Sequence, residues 1–232
     1  MGIAGCQSRR FHPPYVAHYG ALHELMHGRS RAAVVELDGY AGRPGVYAVG
    51  ALAELAGEVT VLNGEVWISR PDGAGGFTTT HDATGVGAAL LVQKGDGSDQ
   101  WPIEIALEHD TALVELNQTL GGMARARGLD TSGPFPFLIE AECPRLEIHV
   151  VDGTKILPNQ TPEQHYAASV QLRYENMPAT LIGFHSTQHV GVFTHLGQTL
   201  HVHAVVPPAN VTGHVEDAVF AAGTVIRLAT IQ

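Results

Sequence analysis

Basic residues are scarce in this chain. Lys and Arg together number 13 against 23 Asp and Glu, a formal charge of −10, which leaves little to neutralise a phosphate backbone or an anionic membrane surface. Neither a nucleic-acid nor a membrane partner is expected; a small anionic substrate needs only one local cation and is not excluded. Cysteine is nearly absent. Cys6 and Cys143 are the two, too few for a disulfide framework and suited to a reducing compartment. No apolar run approaches the ~18 residues that read as a membrane span, and residues 1–10 lack the apolar core and cleavage site of a signal peptide. The expected location is cytoplasmic.

Glycine and histidine are in excess. The 27 glycines suit a fold rich in tight turns, and the 14 histidines make chance His patterns common. A hydrophobic content of 44% with 16% charged residues is an ordinary globular balance. With 232 residues the chain can bury a substantial core, as one large β-rich domain or two small ones.

Residues 1–17 read as an irregular arm, because Pro13 and Pro14 block regular structure. Residues 19–26 read as a short amphipathic helix stopping near Gly28. Strands are expected at 32–37, 46–49, 59–62 and 66–69, with Asn63-Gly64 as the hairpin turn between the last two. Loops follow at 70–76 and 94–100, the second after the small-residue run at 85–92. At 110–127 the spacing of Leu113, Leu116, Leu120 and Met123 predicts a helix, stopped by Gly128. Further strands are expected at 135–140, 146–151, 179–184, 199–206, 213–219 and 224–229. Thr161-Pro162-Glu163-Gln164 reads as the capped start of a short helix. The class is α+β and β-dominated.

The most informative stretch runs from Leu200 to Asp217. Residues two apart on a strand share a face, so His201 and His203 project together. Pro207 to Asn210 is turn chemistry. A turn centred between Pro208 and Ala209 pairs residues whose numbers sum to about 417, and opposite residues on one face lie close enough for side-chain contact. His203 then faces His214, and three imidazoles converge on one sheet face, an arrangement that suits zinc or another divalent transition metal. The same arithmetic puts Glu216 opposite His201, provided no bulge shifts the phase. Asp217 could orient an imidazole or stand exposed at the strand end. Most other histidines, His149 and His165 among them, read as surface residues; His185, His189 and His195 stay open.

These residues resemble a known family. His201-x-His203, ten residues, then Gly213-His214 looks like the metal motif of alpha-acetolactate decarboxylases. Residues 179–184 resemble the strand leading into that motif, and residues 50–67, with Gly57-Glu58 before a short strand and the Asn63-Gly64 turn, match the family's N-terminal signature without a gap. The resemblance covers roughly residues 20–230. It implies two packed mixed β-subdomains with a few helices, at about 18–130 and 131–232, with the site between them. It also implies His201, His203 and His214 as metal ligands, Glu58 as the acidic residue at the metal, and a small keto acid as substrate, with a homodimer left open. Related folds include ester hydrolases and a small DNA-associated domain, so substrate does not follow from fold.

Two departures stand out. The family's site arginine falls in a segment whose counterpart here puts Lys155 at that position, which keeps the charge but loses the bidentate fork. The family also carries a further acidic residue in a C-terminal extension, and with Gln232 as the last residue Glu216 is the candidate replacement. The expected activity is a zinc-dependent carboxy-lyase giving a hydroxyketone and CO2. An ester or lactone hydrolase with the same metal, and a non-catalytic metal-containing binding protein, are the alternatives.

Overall fold

A computed structural model of the chain describes residues 15–26, 30–95, 101–157 and 160–229. Two antiparallel sheets account for most of them. The first is built from β1 (Tyr15–Tyr19), β2 (Val35–Glu36), β3 (Tyr47–Leu52), β4 (Glu58–Leu62), β5 (Glu65–Pro71), β6 (Phe77–Thr80) and β7 (Gly87–Gly95), in the order β1-β7-β3-β4-β5-β6 with β2 also on β7. Asn63 and Gly64 both adopt positive φ, 51° and 83°, the left-handed pair that a two-residue hairpin requires, and Leu62 pairs with Glu65 across it.

The second sheet comprises β8 (Ile103–Ala106), β9 (Thr111–Ala112), β10 (Phe135–Val150), β11 (Val170–His185), β12 (Leu200–Val206), β13 (Val211–Phe220) and β14 (Val225–Leu228). β10 pairs with β11, β11 with β12, β12 with β13, and β13 returns to β10. The sheet closes on itself as a four-stranded ring, with β14 and β8 continuing from the first half of β10. Its core takes Phe137, Ile139, Leu146, Ile148, Leu181, Ala204 and Phe220, sealed by Leu116, Leu120 and Ala124 of α2 (Leu113–Ala126). A second cluster joins the sheets: Tyr47, Val49, Leu90 and Val92 meet Leu138, Ile182 and Phe184. The short helices are α1 (Leu22–Met26) and α3 (Pro162–Ala168), the latter capped by Thr161, whose hydroxyl accepts from the Gln164 N–H. Among the described residues no helix is long and apolar enough to cross a membrane.

Several expectations change. Residues 1–14 lie outside the described residues, but Tyr15–Ala17 belong to β1, paired with Gly95, Lys94 and Gln93 on β7, so the arm is regular at its end. Tyr19 is strand rather than helix. β8 and β9 precede residue 131 yet join the second sheet, and α2 packs on its core, so the division between the sheets falls after Gly95. The strands expected at 135–140 and 146–151 are one continuous strand. Pro144 does not break it: no ladder pair is formed there, between Cys143–Met177 and Arg145–Glu175, opposite Asn176 with φ 49°. Proline is tolerated where its missing N–H is not needed, and the left-handed Asn176 lets both strands exchange faces. Phe135, Phe137, Ile139 and Cys143 point to the core before this point, Leu146, Ile148 and Val150 after it.

β13 is also interrupted. Ile148 pairs with Val215 and Glu147 with Asp217, so Glu216 is the extra residue of a bulge. Nearby, an added Cβ on Gly213 would lie 2.5 Å from the His149 carbonyl oxygen. Gly213→Ala is therefore expected to push β13 off β10 and destabilise the fold by about 1–3 kcal/mol. Denaturant titration checks this; an unchanged midpoint would show that the strands have room to spare.

Candidate metal centre

Strand alternation divides the hairpin between core and site. Leu200, Val202, Ala204 and Val206 of β12 fill the second sheet's core, so His201 and His203 take the other face, toward β4 and β5. Val211 and Val215 of β13 point to the core, and Thr212, His214 and Glu216 lie on the histidine side. β12 and β13 pair in the expected register, with His203 opposite His214. One ring nitrogen each of His201, His203 and His214 fall within 4.8 Å of one another, and the three could hold a metal ion. His201 is 5% exposed and His203 fully buried.

A chain of hydroxyl groups fixes the tautomer of His203. The Thr212 hydroxyl is 3.0 Å from the Ala204 carbonyl oxygen, which can only accept, so Thr212 donates there. Thr60 Oγ1 lies 2.5 Å from Thr212 Oγ1, and with the Thr212 proton committed, Thr60 must be the donor. Thr60 Oγ1 then accepts from His203 Nδ1–H, 3.1 Å away. The remaining nitrogen, Nε2, carries a lone pair and is buried without a hydrogen-bond partner, as is His201 Nδ1. Buried imidazole nitrogens left without partners are costly unless something else fills their valence. Such a set could hold a metal ion.

Burial, reinforced by the neighbouring histidines, lowers the pKa of His201 to about 3 and holds His203 and His214 well below the ordinary imidazole range. All three are therefore neutral, the form that binds metal. Glu58, the first residue of β4, is the facing acid. Its Oε2 is 3.7 Å from His203 Nε2, and its Oε1 accepts from the Val151 N–H at 3.3 Å. Burial, aided by the charge of Glu216, pushes its carboxyl well above the usual range despite that hydrogen bond. The preceding turn is strained, with Glu54 and Leu55 at φ 59° and 54°. Such conformations cost roughly 1–3 kcal/mol each and persist where the surroundings impose them.

His149, which reads from the sequence as a surface residue, belongs to the site. Its Nδ1 is 2.8 Å from Glu216 Oε1, its Nε2 is 3.8 Å from Glu58 Oε1, and its ring centroid is 5.2 Å from that of His214. The signal was present: Leu146, Ile148 and Val150 alternate with Glu147 and His149. What sequence could not show was the exchange of faces at Pro144 and Asn176, without which His149 would be inside. His195 also joins, 5.4 Å from His214 by ring centroids, while His165 is buried rather than exposed.

Glu216, the extra residue of the bulge, lies on the histidine side, where its partner is His149. Burial opposes its ionisation, and the contact with His149 outweighs that and lowers its pKa. Two expected residues have other charged partners. Lys155 is turned back on Asp152, Nζ to Oδ2 2.8 Å, by the turn in which Asp152 also takes the Thr154 N–H and hydroxyl, and it does not line the cavity beside the histidines. Asp217 lines the cavity, and past the bulge it sits diagonally across from Arg145, its Oδ2 2.5 Å from that guanidinium.

The family model of alpha-acetolactate decarboxylase matches residues 18–232. The chain belongs to the alpha-acetolactate decarboxylase family. The fold agrees: the alpha-acetolactate decarboxylase of Bacillus subtilis strain 168 superposes with a TM-score of 0.69 at 13% identity, covering 94% of this chain and 86% of that one. A Staphylococcus aureus protein of unknown function, described as similar to alpha-acetolactate decarboxylase, has the same TM-score, identity and coverage. No curated protein matches in sequence.

For this family member, Thr60→Val removes the acceptor that sets the His203 tautomer and is expected to weaken zinc binding about 10–100-fold, while Thr60→Ser retains it. Competition with a chromogenic chelator measures both; equal affinities for all three proteins would show that the hydroxyl chain does not act on the site. The buried histidines also fix an acid limb. In the metal-free protein their folded values lie below the unfolded ~6.5, so stability is full above that pH. It falls as pH drops below it by about 1.4 kcal/mol per pH unit for each histidine, the fall for His201 continuing toward about 3. Urea titrations at several pH values test this, and a midpoint constant across the window would mean that these imidazoles protonate in the folded state.

Proposed function

We propose that this protein is a divalent-metal-dependent decarboxylase acting on 2-acetolactate or a related α-hydroxy-β-keto acid. The observation that carries the reading is the meeting of three neutral imidazoles, two of them with a buried unpartnered ring nitrogen, with a buried carboxyl group, in a chain of this family. His201, His203 and His214 would hold the ion, and zinc is the metal that such a set favours. When bound, the ion supplies a Lewis acid for the carbonyl and hydroxyl oxygens of the substrate.

The chain's own groups handle the proton. Loss of CO2 breaks a carbon–carbon bond and leaves its electron pair with the substrate, so one proton must be delivered to one face of the product. Glu58, its carboxyl raised well above the usual range by burial, is the group that would carry that proton. His149 stands between Glu58 and Glu216, and Glu216 holds the imidazole in place. A metal-dependent ester or lactone hydrolase is the second reading. It is favoured by the absence of Lys and Arg among the described residues that line the cavity, which leaves no permanent cation for a substrate carboxylate.

Incubation of the zinc-loaded protein with 2-acetolactate should release CO2 and acetoin, and exhaustive chelation should abolish both. Ester cleavage without CO2 release would replace the first reading by the second. Glu58→Gln keeps the acceptor for Val151 and should lower turnover by about 10²–10⁴-fold. The same change should stabilise the metal-free protein near neutral pH. A carboxyl raised above 4.5 costs stability as pH rises from that value toward the folded one, and Gln removes the cost. A variant with normal turnover and unchanged melting would remove Glu58 from the site.

A further inference from the structure

The cavity beside the histidines is far larger than the substrate for which the family is named. It has a volume of about 780 Å³, well within the ~300–1,000 Å³ of pockets that enclose drug-sized ligands. 2-Acetolactate, with about nine non-hydrogen atoms, occupies roughly 150 Å³, on the order of five water molecules at ~30 Å³ each. The lining combines two kinds of side chain. Glu58, His149, His201 and His214 line one part, whereas Leu22, Leu90, Leu113, Val114 and Leu196 supply an extended apolar wall.

Two of those apolar side chains stand largely in solvent, Val114 at 61% and Leu196 at 85% exposure. Their exposure is built in. Next to Leu196, Gly197 takes a positive φ of 79°, and Thr199 is tied to Asn117 of α2 through its N–H at 2.8 Å and its hydroxyl to the Asn117 carbonyl at 2.8 Å. α1 is fastened to the same loop, with the Leu22 N–H on the Val192 carbonyl at 2.7 Å and the His23 N–H on that of Gly191 at 2.8 Å. The wall is thus preformed, and preformed apolar surface open to a reacting centre favours a ligand that covers it.

We propose that the substrate is an α-hydroxy-β-keto acid whose non-reacting substituent is an apolar chain or ring well beyond a methyl group, lying along the wall from Leu90 to Leu196. The proposal rests on the decarboxylase reading above. It places the reacting carbons at the histidines and the substituent toward α1, α2 and the Leu196 loop. The reaction that makes such a substrate must join a two-carbon acyl unit to a 2-keto acid bearing that apolar group.

The test uses the zinc-loaded protein with 2-hydroxy-3-oxo acids whose C2 substituent runs from methyl to hexyl, plus benzyl. Expected is a rise in kcat/KM of about three- to fourfold per methylene over the first several carbons, the value of burying a CH2. Leu196→Ser, at a position outside the core, should flatten that slope. Calorimetry with unreactive 2-alkyl-2-hydroxy acids gives a second readout, in which Kd falls with chain length and the heat capacity change grows more negative. A flat or falling slope in both, with acetolactate turned over, overturns the proposal and leaves the decarboxylase reading standing. A chain-length slope in binding without decarboxylation of any member supports the apolar wall and overturns that reading instead.

Discussion

The site depends on the two-residue period of β-strands, applied with two deliberate interruptions. Within β12 the period assigns even-numbered residues to the core and the histidines to the opposite face. A uniform alternation along β10 would have put His149 into that same core. The exchange of faces at Pro144 and Asn176, and the extra residue Glu216 in β13, let two long strands serve one core while presenting His149, His214 and Glu216 together. Side-chain chemistry at the centre follows from this backbone arithmetic, because burial on the histidine face is what keeps the imidazoles neutral and raises the Glu58 carboxyl well above its ordinary range.

The two sheets are joined at the centre as well as through their shared apolar cluster. Thr60 of β4 reaches His203 of β12 and Thr212 of β13, and Ser69 of β5 accepts from the Thr212 N–H while contacting Thr79 of β6. Hydroxyl groups suit this task because each can donate once and accept again, so the direction of the chain is set by its carbonyl terminus. The first sheet therefore contributes to the second sheet's histidines a fixed proton position as well as a wall. It also supplies Glu58, from a turn whose left-handed residues are held by the facing loop, where the Gly153 N–H donates to the Leu55 carbonyl.

Much of this was legible in the sequence where signals were local. The Asn63-Gly64 turn, the capped start at Thr161, the apolar stripe of α2 and the pairing of His203 with His214 all depend on residues close in sequence, and each is present. The position of Lys155 could not be read from alignment alone, because the turn built on Asp152 directs its side chain to that carboxylate. β8 and β9 were missed because strands of four and two residues have too little alternation to read. β1 was hidden by the neighbouring prolines. His149 needed the phase of β10 relative to β11, which is set by one left-handed residue more than 25 positions away, beyond any periodicity argument within β10 itself.

The closure of the second sheet has a consequence for the protein's fate in solution. An open hairpin rich in Val and His would offer its backbone to any passing extended chain, and such edges template aggregation. Here both strands of the histidine hairpin are paired on both sides over part of their length, β12 by β11 and β13, β13 by β12 and β10. The margins left at the periphery are short: five residues in β1, two in β2, four in β6, four in β8 and two in β9. The histidine hairpin, the most chemically reactive segment of the chain, is therefore the one least able to recruit a foreign strand.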